Sequence, residues 1–101
     1  MIKAIVLYGQ PKDSIEFERY YAEKHLPLAA KMKGLVRLEL TRFGAGPDGS
    51  KPAYYRMAEL YFPTEAQLQT TLSSPEGRAA VADLAKFATG GVTMLTGLVE
   101  S

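Results

Sequence analysis

Apolar residues along the chain follow strand patterns in four places. Residues 2–8 form an almost continuous apolar run with β-branched members, which indicates a strand covered on both faces. Residues 35–43 and 54–62 alternate between apolar and polar positions, as half-buried strands do. Residues 92–99 supply the last predicted strand.

A helix is predicted between the first two strands. Asp13 followed by Glu16 matches a capping box, which starts a helix. Apolar residues then recur at helical spacing and define one stripe: Phe17, Tyr20, Tyr21, His25 and Leu28. Pro27 cannot donate its backbone N–H, so the helix should end or kink near His25. Gly34 is predicted as a C-cap.

Two more helices are predicted before the last strand. Thr64 and Gln67 form a second capping box, and the helix that they open runs through Leu72. Pro75 fits the first position of the next helix, which Gly90 and the following glycine end. The inward face of this last helix is predicted to contain Ala80, Val81, Leu84 and either Phe87 or Ala88.

The predicted order is β-α-β-β-α-β, which is the ferredoxin-like arrangement of an antiparallel sheet with helices on one face, an α+β fold over residues 1–101. The other face of the sheet would mix charged and apolar residues: Arg37, Glu39 and Thr41 with Tyr55, Met57, Glu59 and Tyr61. This mixture is too apolar for open solvent and too charged for a dry core. A second copy of the chain could cover it and leave a polar pocket between the sheets, which predicts a homodimeric barrel.

Composition narrows the possible functions. The 101 residues carry a net charge of +1, which argues against nucleic acid or an anionic membrane as a partner. Cysteine is absent and His25 is the single histidine, which excludes thiol chemistry and a metal site made of several imidazoles from one chain. The first residues match neither an export signal nor a membrane span, so we expect a cytoplasmic protein.

Three segments together resemble the EthD family, named for ethyl tert-butyl ether degradation. They are Tyr20–Leu28 with its Tyr-Tyr-Ala-Glu-Lys-His-Leu-Pro core, Ser74–Gly77, and Phe87–Thr93 with Ala-Thr-Gly-Gly-Val-Thr. The apolar start of the chain also fits. The resemblance implies a dimeric α+β barrel over nearly the whole chain. Relatives in the wider superfamily include cofactor-free monooxygenases, cyclases, dehydratases, isomerases and haem-degrading enzymes, so the fold does not choose the reaction.

His25 and Tyr21 are the candidate catalytic residues. His25 titrates near neutrality and ends an aromatic stripe, so it could act as a general acid or base. It could equally cap its helix or bond a backbone carbonyl. Tyr21 lies four residues earlier on the same helix face and could share a hydrogen-bond network with the imidazole. Tyr20 is interpreted as a core residue with a solvated hydroxyl.

Six further residues are candidates for ligand binding: Tyr8, Arg37, Glu39, Tyr55, Glu59 and Tyr61. The tyrosines could hold a flat apolar ligand or belong to a dimer interface. A buried glutamate could serve as an acid or base, but burying an unpaired charge is costly. We therefore favour an ion pair of Arg37 with either glutamate.

No cofactor is expected. Residues 44–49 match the spacing G-x-G-x-x-G, but another strand follows them where a dinucleotide site needs a helix, so they are interpreted as a hairpin loop. Haem held by His25 is a weaker alternative with no further support in the sequence.

The sequence therefore suggests a small cofactor-independent enzyme that acts on an apolar or aromatic molecule in a cleft between sheet and helices. The reaction would be proton transfer, dehydration or isomerisation, or oxygenation. A non-catalytic ligand-binding or accessory protein of an oxidative degradation pathway is the alternative.

Overall fold

Four antiparallel strands make a single sheet in the computed structural model, which describes residues 1–100. They are β1 (Ile2–Gly9), β2 (Arg37–Arg42), β3 (Tyr54–Phe62) and β4 (Val92–Leu98). Their spatial order is β2-β3-β1-β4, so β1 and β3 are central and β2 and β4 are edges. Two helical connections, one from β1 to β2 and one from β3 to β4, cover one face of the sheet.

The first connection contains α1 (Ser14–Tyr20), a π-helical segment (Tyr21–His25) and α2 (Leu26–Ala29) in one continuous stretch. The second contains α3 (Glu65–Ser73) and α4 (Pro75–Phe87). The predicted β-α-β-β-α-β order is therefore confirmed, and the fold is ferredoxin-like α+β.

Both predicted capping residues start their helices, but only half of each capping box forms. The Asp13 carboxylate accepts from the backbone N–H groups of Ile15 and Glu16 at 3.0 and 3.1 Å. The Glu16 side chain does not return the contact, because it pairs with Arg19. Thr64 likewise caps α3, while the amide of Gln67 bonds onward to Thr71.

Pro27 does not end the helix, and the disruption predicted near His25 is a π turn. The N–H of Leu26 bonds to the carbonyl of Tyr21, five residues back, and the helix then continues to Ala29. A widened turn accommodates a proline ring that would otherwise meet the carbonyl four residues earlier. Gly34, predicted as a C-cap, lies beyond the helix end in a left-handed conformation at φ +89°.

The core lies between the helices and one face of the sheet. Its buried members alternate along both central strands, as predicted for β3, whereas β1 was predicted as a continuous apolar run. They meet aromatic and aliphatic residues of the helices: Ala4, Val6, Tyr8, Ala58, Leu60 and Phe62 from the strands, with Phe17, Tyr21, Leu68, Leu84 and Phe87 from the helices. Five side chains of this set come from helices. The helical connections therefore supply three of the five aromatic side chains in this cluster.

Tyr55 departs from the predicted alternation because β3 bulges there. Tyr8 pairs with Arg56 while Gly9 pairs with Tyr54, so Tyr55 has no direct partner in β1. An extra residue in one strand reverses which face a side chain takes. The Tyr55 ring accordingly packs edge-on against Phe17 on the helix side, with 5.2 Å between centroids.

The other side of the sheet, here called the open face, carries the residues that alternate with the core: Lys3, Ile5, Leu7, Arg37, Glu39, Thr41, Met57, Glu59, Tyr61, Thr93, Leu95 and Gly97. Leu95 is 50% exposed, whereas Tyr61 is 6% exposed. Lys3 and Arg37 lie beside Tyr61 in the register, and both cations contact its ring. The mixture of charged and apolar side chains that the sequence predicted is present on this face.

Gly77 lets α4 approach the end of α3, and Gly77→Ala should destabilise the protein. A Cβ at this position would overlap the carbonyl oxygen of Thr71 and lie 2.8 Å from the Cα of Leu72. Overpacking of this kind costs about 1–3 kcal/mol, and a loss of that size lowers the Tm of a 100-residue domain by roughly 4 °C or more. Gly44→Ala is the matched control, because no atom of residues 1–100 outside its chain neighbours lies within 4 Å of its Cβ position. Equal melting of the two variants in calorimetry would contradict the packing argument.

Candidate functional site

A cavity of about 50 Å³ lies between the helices and the sheet. Its wall is apolar except for three side chains: Tyr8 from β1, and Tyr21 and His25 from the π-helical segment. The apolar wall includes Leu26, Ala29, Leu38, Leu60, Ala80 and Leu84. No lysine, arginine, aspartate or glutamate lines it within residues 1–100, so the cavity suits an uncharged group.

His25 is held by a carboxylate from α4. Its Nδ1 lies 3.1 Å from Oδ2 of Asp83, and the hydroxyl of Tyr20 donates to the other oxygen, Oδ1, at 2.7 Å. His25 is 7% exposed and Asp83 is 4% exposed. The structure thus brings together three polar side chains from α1, the π-helical segment and α4. Among residues 1–100, His25 neither caps its helix nor bonds a backbone carbonyl, and the half-buried Tyr20 has a protein partner for its hydroxyl in Asp83.

Aromatic rings enclose the imidazole. The Tyr21 ring stacks on it with 5.7 Å between centroids and 18° between planes, and Phe87 approaches to 4.7 Å. The predicted hydrogen bond between Tyr21 and His25 is absent, because stacking directs the hydroxyl away from the imidazole. Tyr21 Oη is the one fully buried side-chain polar atom without a hydrogen-bond partner in the described chain.

Burial controls the protonation of the groups around the cavity. It lowers the pKa of His25, an effect that the neighbouring Asp83 partly opposes. Burial also raises the pKa of the Tyr8 and Tyr21 phenols, and the hydrogen bond to Asp83 raises the pKa of Tyr20. At neutral pH the imidazole is therefore uncharged and the phenols keep their protons.

A charged cluster lies next to Tyr21 at the end of the sheet. The Glu18 carboxylate accepts from Arg56 at 2.6 and 2.9 Å and from the Tyr55 hydroxyl at 2.9 Å. These bonds, chiefly that from Arg56, lower the pKa of Glu18. The Arg56 guanidinium also lies 4.8 Å from the centroid of the Tyr21 ring. Of the predicted ligand-binding residues, Tyr55 belongs to this cluster and does not line the cavity.

Four predicted ligand-binding residues, Arg37, Glu39, Glu59 and Tyr61, lie on the open face and away from the cavity. The predicted ion pair of Arg37 is present with Glu39 at 2.9 Å, and the Tyr61 hydroxyl donates to the same carboxylate at 3.2 Å. Glu59 pairs with Lys3 at 2.6 Å. These residues neutralise one another within the chain, and of the six candidates only Tyr8 lines the cavity.

Asp83 is the member of the site that sequence reasoning missed. It falls at helical spacing among the predicted inward positions of α4, three residues after Ala80 and four before Phe87. A carboxylate on an otherwise apolar helix face signals a buried partner, because an unpaired charge is rarely buried. That signal was available in the sequence, although the identity of the partner was not.

The loop at residues 44–49 joins β2 to β3 as a hairpin, as predicted. The N–H of Gly46 donates to the carbonyl of Ser50, and the N–H of Gly49 donates to the carbonyl of Gly46.

Within residues 1–100 no three potential metal ligands are grouped closely enough to hold an ion. No helix in the same residues has the length and apolar character needed to cross a membrane.

The sequence profile of the EthD domain matches residues 10–91. The chain belongs to the EthD family. It is 39% identical over 99 residues to an uncharacterised 11.0 kDa protein from the thcB-thcC intergenic region of Rhodococcus erythropolis, covering 94% of this chain and 91% of that one. It is 35% identical to an ethyl tert-butyl ether degradation (EthD) family protein from Bacillus halodurans, with a TM-score of 0.93 and 99% of both chains covered.

More distant structures share only the fold. They include a cofactor-independent oxygenase, SnoaB, from Streptomyces nogalater, with 13% identity, a TM-score of 0.70 and coverage of 99% of this chain and 93% of that one. A hydroxynitrile lyase from Passiflora edulis is 11% identical, with a TM-score of 0.74 and coverage of 98% and 94%. A ferredoxin-like protein from Thermobifida fusca, 16% identical with a TM-score of 0.70 over 97% and 90% of the chains, is described as dimeric.

The lowered pKa of His25 predicts a loss of stability in mild acid. The unfolded chain protonates this imidazole near pH 6.5, and the buried imidazole resists protonation until a lower pH. The free energy of unfolding should therefore decrease as the pH falls from 6.5 through the folded pKa. In thermal melting across this range, the Tm should decrease more steeply with falling pH for the native chain than for His25→Gln.

Glutamine keeps a donor for Asp83 but does not titrate, which makes it the appropriate comparison. The carboxylate of Glu18, whose pKa is lowered, contributes to acid sensitivity only below its ordinary value of 4.5 and so in a separate window. The same dependence of Tm on pH for the native chain and for His25→Gln would contradict the prediction.

Proposed function

We propose that this EthD protein is a cofactor-independent enzyme that moves a proton on a small, uncharged, largely apolar molecule, with His25 as the acid–base group. One observation carries the proposal: the single imidazole of the chain lines an apolar cavity while a buried carboxylate holds its opposite side. Imidazole is the side chain best suited to exchange a proton at neutral pH.

The chemistry of the cavity wall limits the substrate. The wall offers apolar surface, the hydroxyl-bearing rings of Tyr8 and Tyr21, and His25, without a charged side chain among residues 1–100. A carboxylate or phosphate would find no cation there, whereas a neutral aromatic or carbonyl compound would bury its apolar surface. The free space of about 50 Å³ admits a small group and favours a compact substrate or the end of a larger one.

In the proposed reaction His25 takes a proton from an acidic C–H or O–H bond of the substrate, and the electron pair stays on the substrate. The resulting imidazolium then returns the proton to a different atom, which gives isomerisation, or to a leaving group, which gives elimination. Two proteins of the same fold are described as a cofactor-independent oxygenase and a hydroxynitrile lyase, which supports an enzymatic role for this chain. The shared fold does not choose among the products.

The test uses the single histidine as its own reporter. Protein labelled with ¹⁵N-histidine is screened by NMR against uncharged aromatic and carbonyl fragments, and fragments that shift the His25 resonances are incubated with protein in D₂O. We expect deuterium to enter an acidic C–H position of at least one such fragment. His25→Gln should reduce that exchange by about 100-fold or more, the usual scale of general acid–base catalysis.

Lys24→Gln is the matched control, because it makes the same replacement at the exposed neighbouring position and should leave exchange unchanged. Alanine is unsuitable at position 25, because removing one partner of a buried pair costs about 3–5 kcal/mol in stability. Fragment binding without exchange would overturn the enzymatic proposal and favour a non-catalytic ligand-binding or accessory protein. If deuterium exchange is unchanged in His25→Gln, His25 takes no part in the reaction.

We also propose that two copies of the chain associate through their open faces. This face combines the exposed Leu95 with ion pairs that are already satisfied within the chain. A second sheet could therefore cover it without leaving those charges unpaired. The dimeric description of the Thermobifida fusca protein supports a dimer, and the choice of the open face rests on this chain's own residues.

Light scattering tests this assembly. The native chain should give about twice the mass of 11.0 kDa, and Leu95→Lys should shift the equilibrium to monomer because it places a charge in the interface. Ile15→Lys is the control, since Ile15 is 82% exposed on α1, away from the open face, and should stay dimeric. A folded native chain of 11.0 kDa at micromolar concentration would refute the proposed dimer.

A further inference from the structure

We propose that Asp83 and Tyr20 are positioning residues that fix the protonation pattern of His25, placing the proton on Nδ1 and leaving Nε2 as the atom that exchanges protons with the substrate. The proposal rests on the proposed function of His25. It adds two residues and names the reacting nitrogen.

The hydrogen-bonding capacity of a carboxylate decides which nitrogen carries the proton. An ionised carboxylate can only accept, so the 3.1 Å contact between Asp83 Oδ2 and Nδ1 requires a hydrogen on Nδ1. In a neutral imidazole the other nitrogen, Nε2, is then an acceptor. Burial keeps His25 neutral at pH 7 by lowering its pKa, so this pattern describes the resting state.

Nε2 remains available for a ligand. It makes no hydrogen bond to residues 1–100, and it is not among their fully buried unpaired polar atoms. It therefore keeps contact with free space, and His25 lines the cavity. A substrate proton donor is the partner that this nitrogen lacks.

Tyr20 completes the carboxylate's hydrogen bonds and fixes its orientation. Its hydroxyl donates to Oδ1 at 2.7 Å, and its ring stacks on Phe87 with 5.3 Å between centroids and 20° between planes. Asp83 consequently has one partner on each oxygen, and neither oxygen can turn without losing a bond. A charge-assisted hydrogen bond of this type also spreads the negative charge that would otherwise act on the imidazole alone.

This arrangement matters most after proton transfer. The imidazolium that forms lies beside the Asp83 carboxylate, which stabilises it, while the Tyr20 hydroxyl moderates that stabilisation. The other titratable groups near the imidazole are the phenols of Tyr21 and Tyr8, which line the same cavity and stay protonated because burial raises the pKa of each. Asp83 is therefore the charged group that sets the behaviour of His25.

The experiment is a ¹⁵N NMR titration of the imidazole in the whole protein, and the single histidine makes the assignment unambiguous. In the native chain we expect the neutral ring to carry its proton on Nδ1. Tyr20→Phe should preserve that tautomer and raise the pKa of His25 by about one pH unit, because the carboxylate charge is no longer shared with a hydroxyl. Tyr54→Phe, an exposed tyrosine without a side-chain hydrogen bond among the described residues, should change neither reading.

Asp83→Asn should abolish the preference for Nδ1–H, since an amide can either donate or accept. If that variant does not fold, the tautomer of the native ring and the pKa in Tyr20→Phe still decide the matter. A native ring protonated on Nε2, or an unchanged pKa in Tyr20→Phe, would overturn the proposal. Neither reading needs a ligand or turnover, so they are independent of the deuterium-exchange test of the proposed function.

Discussion

The buried carboxylate of Asp83 is the constraint on which the helical layer depends. Taking a charge out of water is unfavourable unless hydrogen bonds replace the lost hydration. Here those bonds come from Tyr20 at the end of α1 and from His25 in the π-helical segment. Helix α4 can bury Asp83 only where both partners reach it, so its position over the first helical stretch is fixed by polar contacts as well as by apolar packing.

The cavity follows from the same arrangement. Helix α4 packs mainly against α2, α3 and the π-helical segment, and apolar space remains between it and the sheet below. The aromatic side chains Phe17, Tyr21 and Phe87 fill the adjacent region, and the rings of Tyr21 and Phe87 pack against the imidazole. A rigid wall of this kind lets a buried polar group face a small opening without the core collapsing onto it.

The sequence predicted the framework well because its signals are local. Strand alternation, the helix starts at Asp13 and Thr64, and the hairpin at residues 44–49 each depend on neighbours within a few positions. The EthD resemblance pointed to His25 for the same reason. The site itself depends on a contact between residues 58 apart in the chain, His25 and Asp83, which no local pattern specifies.

Local irregularities account for the remaining differences. Pro27 predicted a disruption of the helix. Whether the helix would end or widen there depended on the packing of residues beyond it. The bulge at Tyr55 placed its side chain on the opposite face of the sheet from the one predicted, because a single unpaired residue shifts the alternation. The hydrogen bond from Tyr20 to Asp83 was not predicted, because Asp83 had not been recognised as a buried partner.

The edge strand β4 has a consequence for how the protein behaves when it is alone. None of its seven residues is charged, and Val92, Met94, Leu95 and Leu98 are all exposed. Edge strands usually carry charges, prolines or bulges that prevent other chains from adding to the sheet. The opposite edge, β2, has such protection in Arg37, Glu39 and Arg42. Uncontrolled aggregation would therefore begin at β4, and any surface that covers this strand also protects the chain from self-association by strand addition.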